Sequence, residues 1–120
     1  MNFTEAIAAH SDWKRKLTTY LRKPDSSIDP TVLEKNDQCL LGKWLEDEAD
    51  RLSAFPDFAE LVREHSAFHR AAADVVRKAD RGEDVSADIL LGAKSPFTVS
   101  SVKVVQILMR MDRVQQMAKY

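Results

Sequence analysis

Apolar residues recur along the chain at spacings of three and four, the period of an amphipathic α-helix. This period predicts four helices, over roughly residues 3–23, 37–52, 56–81 and 96–120. Shorter helical turns are expected after Pro30 and over residues 86–91. The alternating patterns and hairpin turns of a β protein are missing from the sequence. We therefore predict an all-α fold: an up-down antiparallel four-helix bundle, with an additional short helix or helical turn in the connections, as a single domain spanning 1–120.

Individual residues indicate where these helices begin and end. Asn2 and Asp37 are expected N-caps of the first and second helices. Pro24 follows the first helix, since proline disfavours helix in the residue before it. Pro56 suits the first position of the third helix, and Gly82 suits its C-terminal cap. The boundaries of three predicted helices therefore rest on identifiable residues.

The last predicted helix carries two adjacent apolar stripes, more than one side of a small bundle usually requires. Such a helix has either a wide face in the core or a second face that is buried against another copy of the chain. The sequence leaves both interpretations open. The first stripe consists of Phe97, Ser101, Val104, Leu108 and Met111, and the second of Thr98, Val102, Val105 and Met109.

Composition excludes several classes of protein. With 44% hydrophobic and 31% charged residues, the chain is too apolar for a disordered segment. It has 18 basic and 19 acidic residues, so it lacks the basic excess of a nucleic-acid-binding protein. No stretch approaches the ~20 apolar residues of a membrane helix. A single Cys excludes an internal disulfide, and the N-terminus does not resemble a signal peptide; both favour the cytoplasm.

The three His and one Cys of the chain fall at positions that suit a metal site. His65 and His69 are four residues apart, so both imidazoles lie on one face of a helix. An isolated pair of this spacing is often unrelated to metal, but His10 also lies on an apolar stripe. Cys39 lies close to Gly42, whose place inside a helix indicates close approach of another element. One thiolate and three imidazoles suit tetrahedral Zn²⁺.

This ligand set argues against an enzyme. Four protein ligands close the zinc shell and leave no position for a catalytic water. Ser66 stands where a zinc protease carries its general-base Glu, directly after the first His of the pair. No Glu stands three residues before any His, as di-iron bundle proteins require. We therefore expect a protein without catalytic activity.

Three segments together resemble, in order and spacing, the sequence blocks of the chemoreceptor zinc-binding (CZB) domain family. They are His10-Ser11-Asp12-Trp13-Lys14, Cys39-Leu40-Leu41-Gly42-Lys43-Trp44 and His65-Ser66-Ala67-Phe68-His69. The resemblance implies a helical bundle that holds one zinc per chain through His10, Cys39, His65 and His69. It also implies a bacterial, cytoplasmic homodimer that regulates chemoreceptors or diguanylate cyclases in response to zinc or oxidants such as hypochlorous acid.

The chain contains no receptor or cyclase segment, and its first candidate ligand follows closely after Met1, so we expect a stand-alone member that acts on an unidentified signalling protein. Neither nucleic acid nor membrane is an expected partner. The hypothesis is a zinc or redox switch, with Cys39 as the oxidisable group and helix rearrangement as the response. The alternative is a zinc-stapled dimerisation module without a sensing role.

Residues around the candidate ligands are expected to pack against the site or to orient it. Lys14 and Lys43 are expected to be solvated. Candidates for hydrogen bonds to the ligand histidines are Asp12, Asp37 and Glu64. The packing or orienting candidates are Trp13, Gly42, Trp44 and Phe68.

Overall fold

The computed structural model describes residues 2–35, 39–89 and 94–117, and within these ranges it contains helices and no strand. The all-α prediction is confirmed. The helices are α1 (Phe3–Arg22), α2 (Pro30–Leu33), α3 (Leu40–Asp47), α4 (Ala49–Leu52), α5 (Phe58–Asp80), α6 (Ser86–Ile89) and α7 (Pro96–Met117).

The long helices α5 and α7 pack side by side in opposite directions. Near the start of α5, the Glu60 carboxylate lies 3.2 Å from the Arg110 guanidinium, late in α7. Further along α5, the ring of Phe68 stacks on that of Phe97, at the start of α7, with centroids 5.4 Å apart. Residues further along α5 thus contact residues nearer the start of α7, so the two helices are antiparallel.

Helix α1 runs parallel to α5, and α3 runs against both. The rings of His10 and Phe68 are 4.7 Å apart, and ten residues further along α1 the Tyr20 hydroxyl donates to Asp80 at 2.9 Å, at the end of α5. Helix α3 begins beside α5, and its Trp44 packs edge-on against Phe3, at the start of α1. Helices α1 and α5 therefore run in one direction and α3 and α7 in the other, with α3 much shorter than its partners.

Two apolar clusters make the core, and the buried histidines lie between them. Removing such side chains from water stabilises the fold by ~1.5–3 kcal/mol for each large residue. The cluster at one end contains Phe3, Ala6, Leu41, Trp44, Leu45, Leu52, Leu61, Val104, Ile107, Leu108 and Met111. The cluster at the other contains Leu17, Tyr20, Leu21, Leu33, Phe68, Ala72, Val75, Val76, Ala79, Val85 and Phe97.

The predicted second helix, 37–52, is wrong in its extent. Asp37 lies outside the described residues, and Cys39 is the N-cap of α3, its Sγ accepting the Gly42 N–H at 3.2 Å. Glu48, with φ −103° and ψ 13°, leaves helical geometry and separates α3 from α4. Gly42 therefore lies in the first turn of a short helix rather than inside a long one.

The third predicted helix begins later than expected but ends as expected. Pro56 lies in a turn closed by the Phe58 N–H and the Phe55 carbonyl at 3.2 Å, so α5 starts after it. Gly82 follows α5 with φ +83°, the left-handed conformation that favours glycine. Its N–H bonds the Ala79 carbonyl at 3.0 Å, and the next N–H bonds that of Lys78 at 3.1 Å. This is a Schellman motif, and the predicted cap is confirmed.

Within the parts of the chain that the structure describes, no helix is both long enough and apolar enough to cross a membrane.

Candidate metal centre

Three of the four predicted ligand side chains meet at one point. The Sγ atom of Cys39 lies 3.3 Å from Nε2 of His65, which lies 3.1 Å from Nε2 of His69. All three candidate ligand atoms lie within 4.8 Å of one another. One turn of α5 separates the histidines, and the N-cap position of Cys39 turns its thiol toward them.

The chemistry of this cluster fits a metal ion. His65 and His69 are only 1% and 2% exposed. Burial, together with its histidine neighbours, lowers the pKa of His65 to about 3, and burial lowers that of His69. Both rings are therefore neutral near pH 7, the state in which imidazole binds a metal. A thiol and two neutral imidazoles converging on one point are suitable donors for Zn²⁺.

The position of Cys39 suits a metal-binding sulfur. Its sulfur accepts the Gly42 N–H at the N-terminus of α3, where the helix dipole also stabilises negative charge. The side chain is half-buried and borders two cavities, of about 450 and 510 Å³, that also border His69. A small molecule in either cavity is adjacent to the sulfur.

A backbone carbonyl orients His69. Its Nδ1 donates to the Leu33 carbonyl, on α2, at 2.8 Å. Since a neutral ring has one N–H, this bond leaves the Nε2 lone pair directed at the cluster. Such outer bonds orient metal-binding histidines generally. Sequence analysis missed Leu33, because every residue has a carbonyl and no residue type marks this role.

Two of the carboxylates considered for that role form ion pairs instead. Asp12 pairs with Arg15 on the exposed side of α1. The Glu64 carboxylate lies 3.8 Å from the Lys103 ammonium. Asp37 is outside the described residues.

His10, the fourth predicted ligand, lies beside the cluster rather than within it. It is 4% exposed and borders the 510 Å³ cavity together with the three clustered residues. Its Nε2 is 3.0 Å from the Ser101 hydroxyl. Sequence analysis placed Ser101 only in an apolar stripe and missed this contact.

Aromatic residues surround the histidines. The Trp13 ring lies 5.2 Å from that of His69 and 5.5 Å from that of Phe68, between centroids. Trp44 packs in the core against Phe3 instead. Lys14, expected to be solvated, is half-buried with Nζ 5.9 Å from the Phe97 ring centroid, and burial lowers its pKa.

Over the described residues, fold and site together define a helical domain with a cysteine–histidine cluster that is able to bind a metal ion. The family model described as the chemoreceptor zinc-binding domain (CZB) matches residues 10–76, more than half of the chain. The chain belongs to that family, and the match includes all four candidate ligands. Comparisons with curated proteins and with solved structures give no match.

Proposed function

We propose that this domain binds one Zn²⁺ per chain through Cys39, His65 and His69, with His10 as the fourth ligand. The observation that carries the proposal is the convergence of the three ligand atoms within 4.8 Å. The buried position of His10 beside the same cavity supports its inclusion. Four protein ligands leave no position for a substrate, so the proposed centre is not catalytic.

The site is proposed to act as a zinc or redox switch in bacterial signal transduction in the cytoplasm. Its ligands come from α1, α3 and α5, so zinc adds its binding free energy to the contacts between these helices. Loss of zinc then loosens their packing, and this rearrangement is the proposed output.

Cys39 is the proposed oxidant-sensitive group. Its thiolate attacks the chlorine of hypochlorous acid, which breaks the O–Cl bond, releases hydroxide and leaves a sulfenyl chloride. Water then displaces chloride from the sulfur, with loss of a proton, to give the sulfenic acid. The sulfur loses two electrons and the oxidant is reduced to chloride. A sulfenic acid is a poorer zinc ligand than a thiolate, so oxidation releases the ion. The cavities beside the sulfur support access by so small an oxidant.

Metal analysis tests the centre itself. Wild-type protein purified with zinc is expected to retain about one ion per chain, and Cys39→Ala and His65→Ala to lose it. Leu40→Ala is the control, since Leu40 follows Cys39 but is 66% exposed. His10→Ala is expected to bind more weakly than wild type. Equal zinc content in all five proteins defeats the assignment.

An oxidation experiment distinguishes a regulatory zinc site from a purely structural one. Stoichiometric hypochlorous acid is added to the zinc-loaded protein, and released zinc, Cys39 oxidation and helix content are followed. A switch releases zinc as Cys39 oxidises and loses helical order. If zinc stays bound, helix content is unchanged and Cys39 stays reduced, the zinc site has only a structural role in a small bundle.

The exposed face of α7 supports a homodimer. Of the predicted second stripe, Thr98 is buried, whereas Val102 and Met109 are 46% and 48% exposed. Val99 and Met117 extend this apolar face along the helix. We propose that a second copy of the chain covers it, and that the dimer acts on a signalling protein of the chemoreceptor or diguanylate cyclase type.

Light scattering after size-exclusion chromatography tests the dimer. Val102→Lys combined with Met109→Lys is expected to give monomers, with zinc content unchanged. Val32→Lys introduces one such charge at an exposed valine on α2 and is expected to leave the dimer intact. A wild-type monomer at high concentration excludes this interface.

A further inference from the structure

The hydrogen bond between His10 and Ser101 joins α1 to α7 beside the metal centre. The two residues are 91 positions apart and both are buried, with Nε2 and Oγ 3.0 Å apart. The His10 ring also packs against Phe68, which is fully buried. Ser101 lies outside residues 10–76, so the family match does not account for this contact.

A buried neutral imidazole carries one N–H, and its hydrogen-bond partner decides which nitrogen carries it. His10 is buried beside the three clustered residues, and an imidazole that binds a metal there is neutral. If Nε2 donates to Ser101, Nδ1 keeps its lone pair. In His69 the two nitrogens have the opposite roles: Nδ1 donates to the Leu33 carbonyl, and Nε2 keeps its lone pair.

We propose that Ser101 is a positioning residue of the metal centre: its hydroxyl accepts the Nε2–H of His10 and thereby keeps Nδ1 unprotonated as the metal-binding nitrogen. The inference rests on the proposed role of His10 as a ligand. Through the hydrogen bond from His10 to Ser101, α7 contributes to the site without supplying a ligand. Zinc binding then becomes sensitive to the position of α7.

Zinc affinity of matched serine variants tests this role. Ser101→Ala is expected to weaken zinc binding about 10–100-fold, the usual cost of removing an orienting group. Ser100→Ala is the control, since Ser100 is also buried on α7, while consecutive side chains of an α-helix point about 100° apart around its axis. Ser101→Thr retains the hydroxyl and is expected to restore most of the affinity. Equal or tighter binding by Ser101→Ala, with its helix content preserved, overturns the inference.

A double variant and a spectroscopic measurement distinguish positioning from general packing. In a His10→Ala background, Ser101→Ala is expected to cause no further loss of affinity. Long-range ¹H–¹⁵N spectra of the metal-free protein are expected to show His10 protonated at Nε2 in wild type and a mixture of tautomers in Ser101→Ala. Protonation at Nδ1 in wild type overturns the inference. A wild type that binds no zinc overturns the proposed function instead.

Discussion

The Nδ1 atom of His69 donates a hydrogen bond to the carbonyl oxygen of Leu33, at 2.8 Å. Leu33 is the last residue of α2, a helix of four residues in the connection after α1. This connection therefore does more than link two helices, because its backbone fixes the orientation of a candidate zinc ligand. The N-cap of α2 is Asp29, whose carboxylate accepts the Thr31 N–H at 2.9 Å.

Removing this cap is expected to disturb the metal centre from a distance. Asp29→Ala should cost about 0.5–2 kcal/mol of stability, the usual value of an N-cap. Because α2 then holds the Leu33 carbonyl less firmly, zinc should also bind several-fold more weakly. Chemical denaturation and chelator competition measure the two effects.

The control for this variant is Asp25→Ala. Asp25 also accepts a backbone N–H, that of Ser27, in the same connection, but it does not cap α2. It is expected to leave zinc affinity unchanged. The same loss of affinity in both variants would mean that charge, rather than the cap, is responsible.

Acid is expected to destabilise the metal-free protein through its histidines. Burial lowers the folded pKa of His10 to about 4, below the ordinary 6.5, so the unfolded chain binds the proton more readily. This contribution to stability is present above pH 6.5 and is lost as the pH falls toward 4. For His10 the loss is on the order of 3 kcal/mol.

Urea denaturation of the metal-free protein between pH 7 and 4 measures this effect. His10→Gln cannot titrate but has an amide in place of the ring, and its stability should fall less steeply over the same range. Identical pH profiles for the two proteins would contradict the expected contribution of His10.

Phe68 is expected to support both the core and the site. Its buried ring contacts those of His10, Trp13 and Phe97. Phe68→Ala should cost about 3–5 kcal/mol, since it removes a large core side chain and leaves a cavity. Zinc should raise the melting temperature of this variant, and the exposed-site control Leu40→Ala should differ little from wild type. A loss below 1 kcal/mol would show that the neighbours collapse into the space.

Gly82 is expected to be required for its conformation rather than for space. A Cβ there would meet no atom within 4 Å, yet the φ of +83° is strained for any other residue type. Gly82→Ala should therefore destabilise the protein by about 1 kcal/mol without altering zinc affinity. The neighbouring Glu83→Ala should have almost no effect. Thermal denaturation compares the two variants.

The sequence by itself determined the helical class and singled out Cys39, His65 and His69, which the structure brings together. Helical period is a local property, so it places His65 and His69 on one face of α5 and predicts the cap at Gly82. The spacing of His10, Cys39 and the histidine pair was enough to indicate the family. The same local signals were insufficient at residues 37–52, where Cys39, rather than Asp37, caps α3 and a break follows at Glu48.

Only the tertiary structure decided how the site is held. The partner of His69 is a carbonyl 36 residues away, and that of His10 is a serine 91 residues away. Neither could be predicted, because a backbone oxygen has no residue-specific signal and a serine in an apolar stripe resembles any small core residue. The packing of α1, α2 and α7 around α5 brings these groups together, since long-range hydrogen bonds depend on helix positions that local periodicity does not encode.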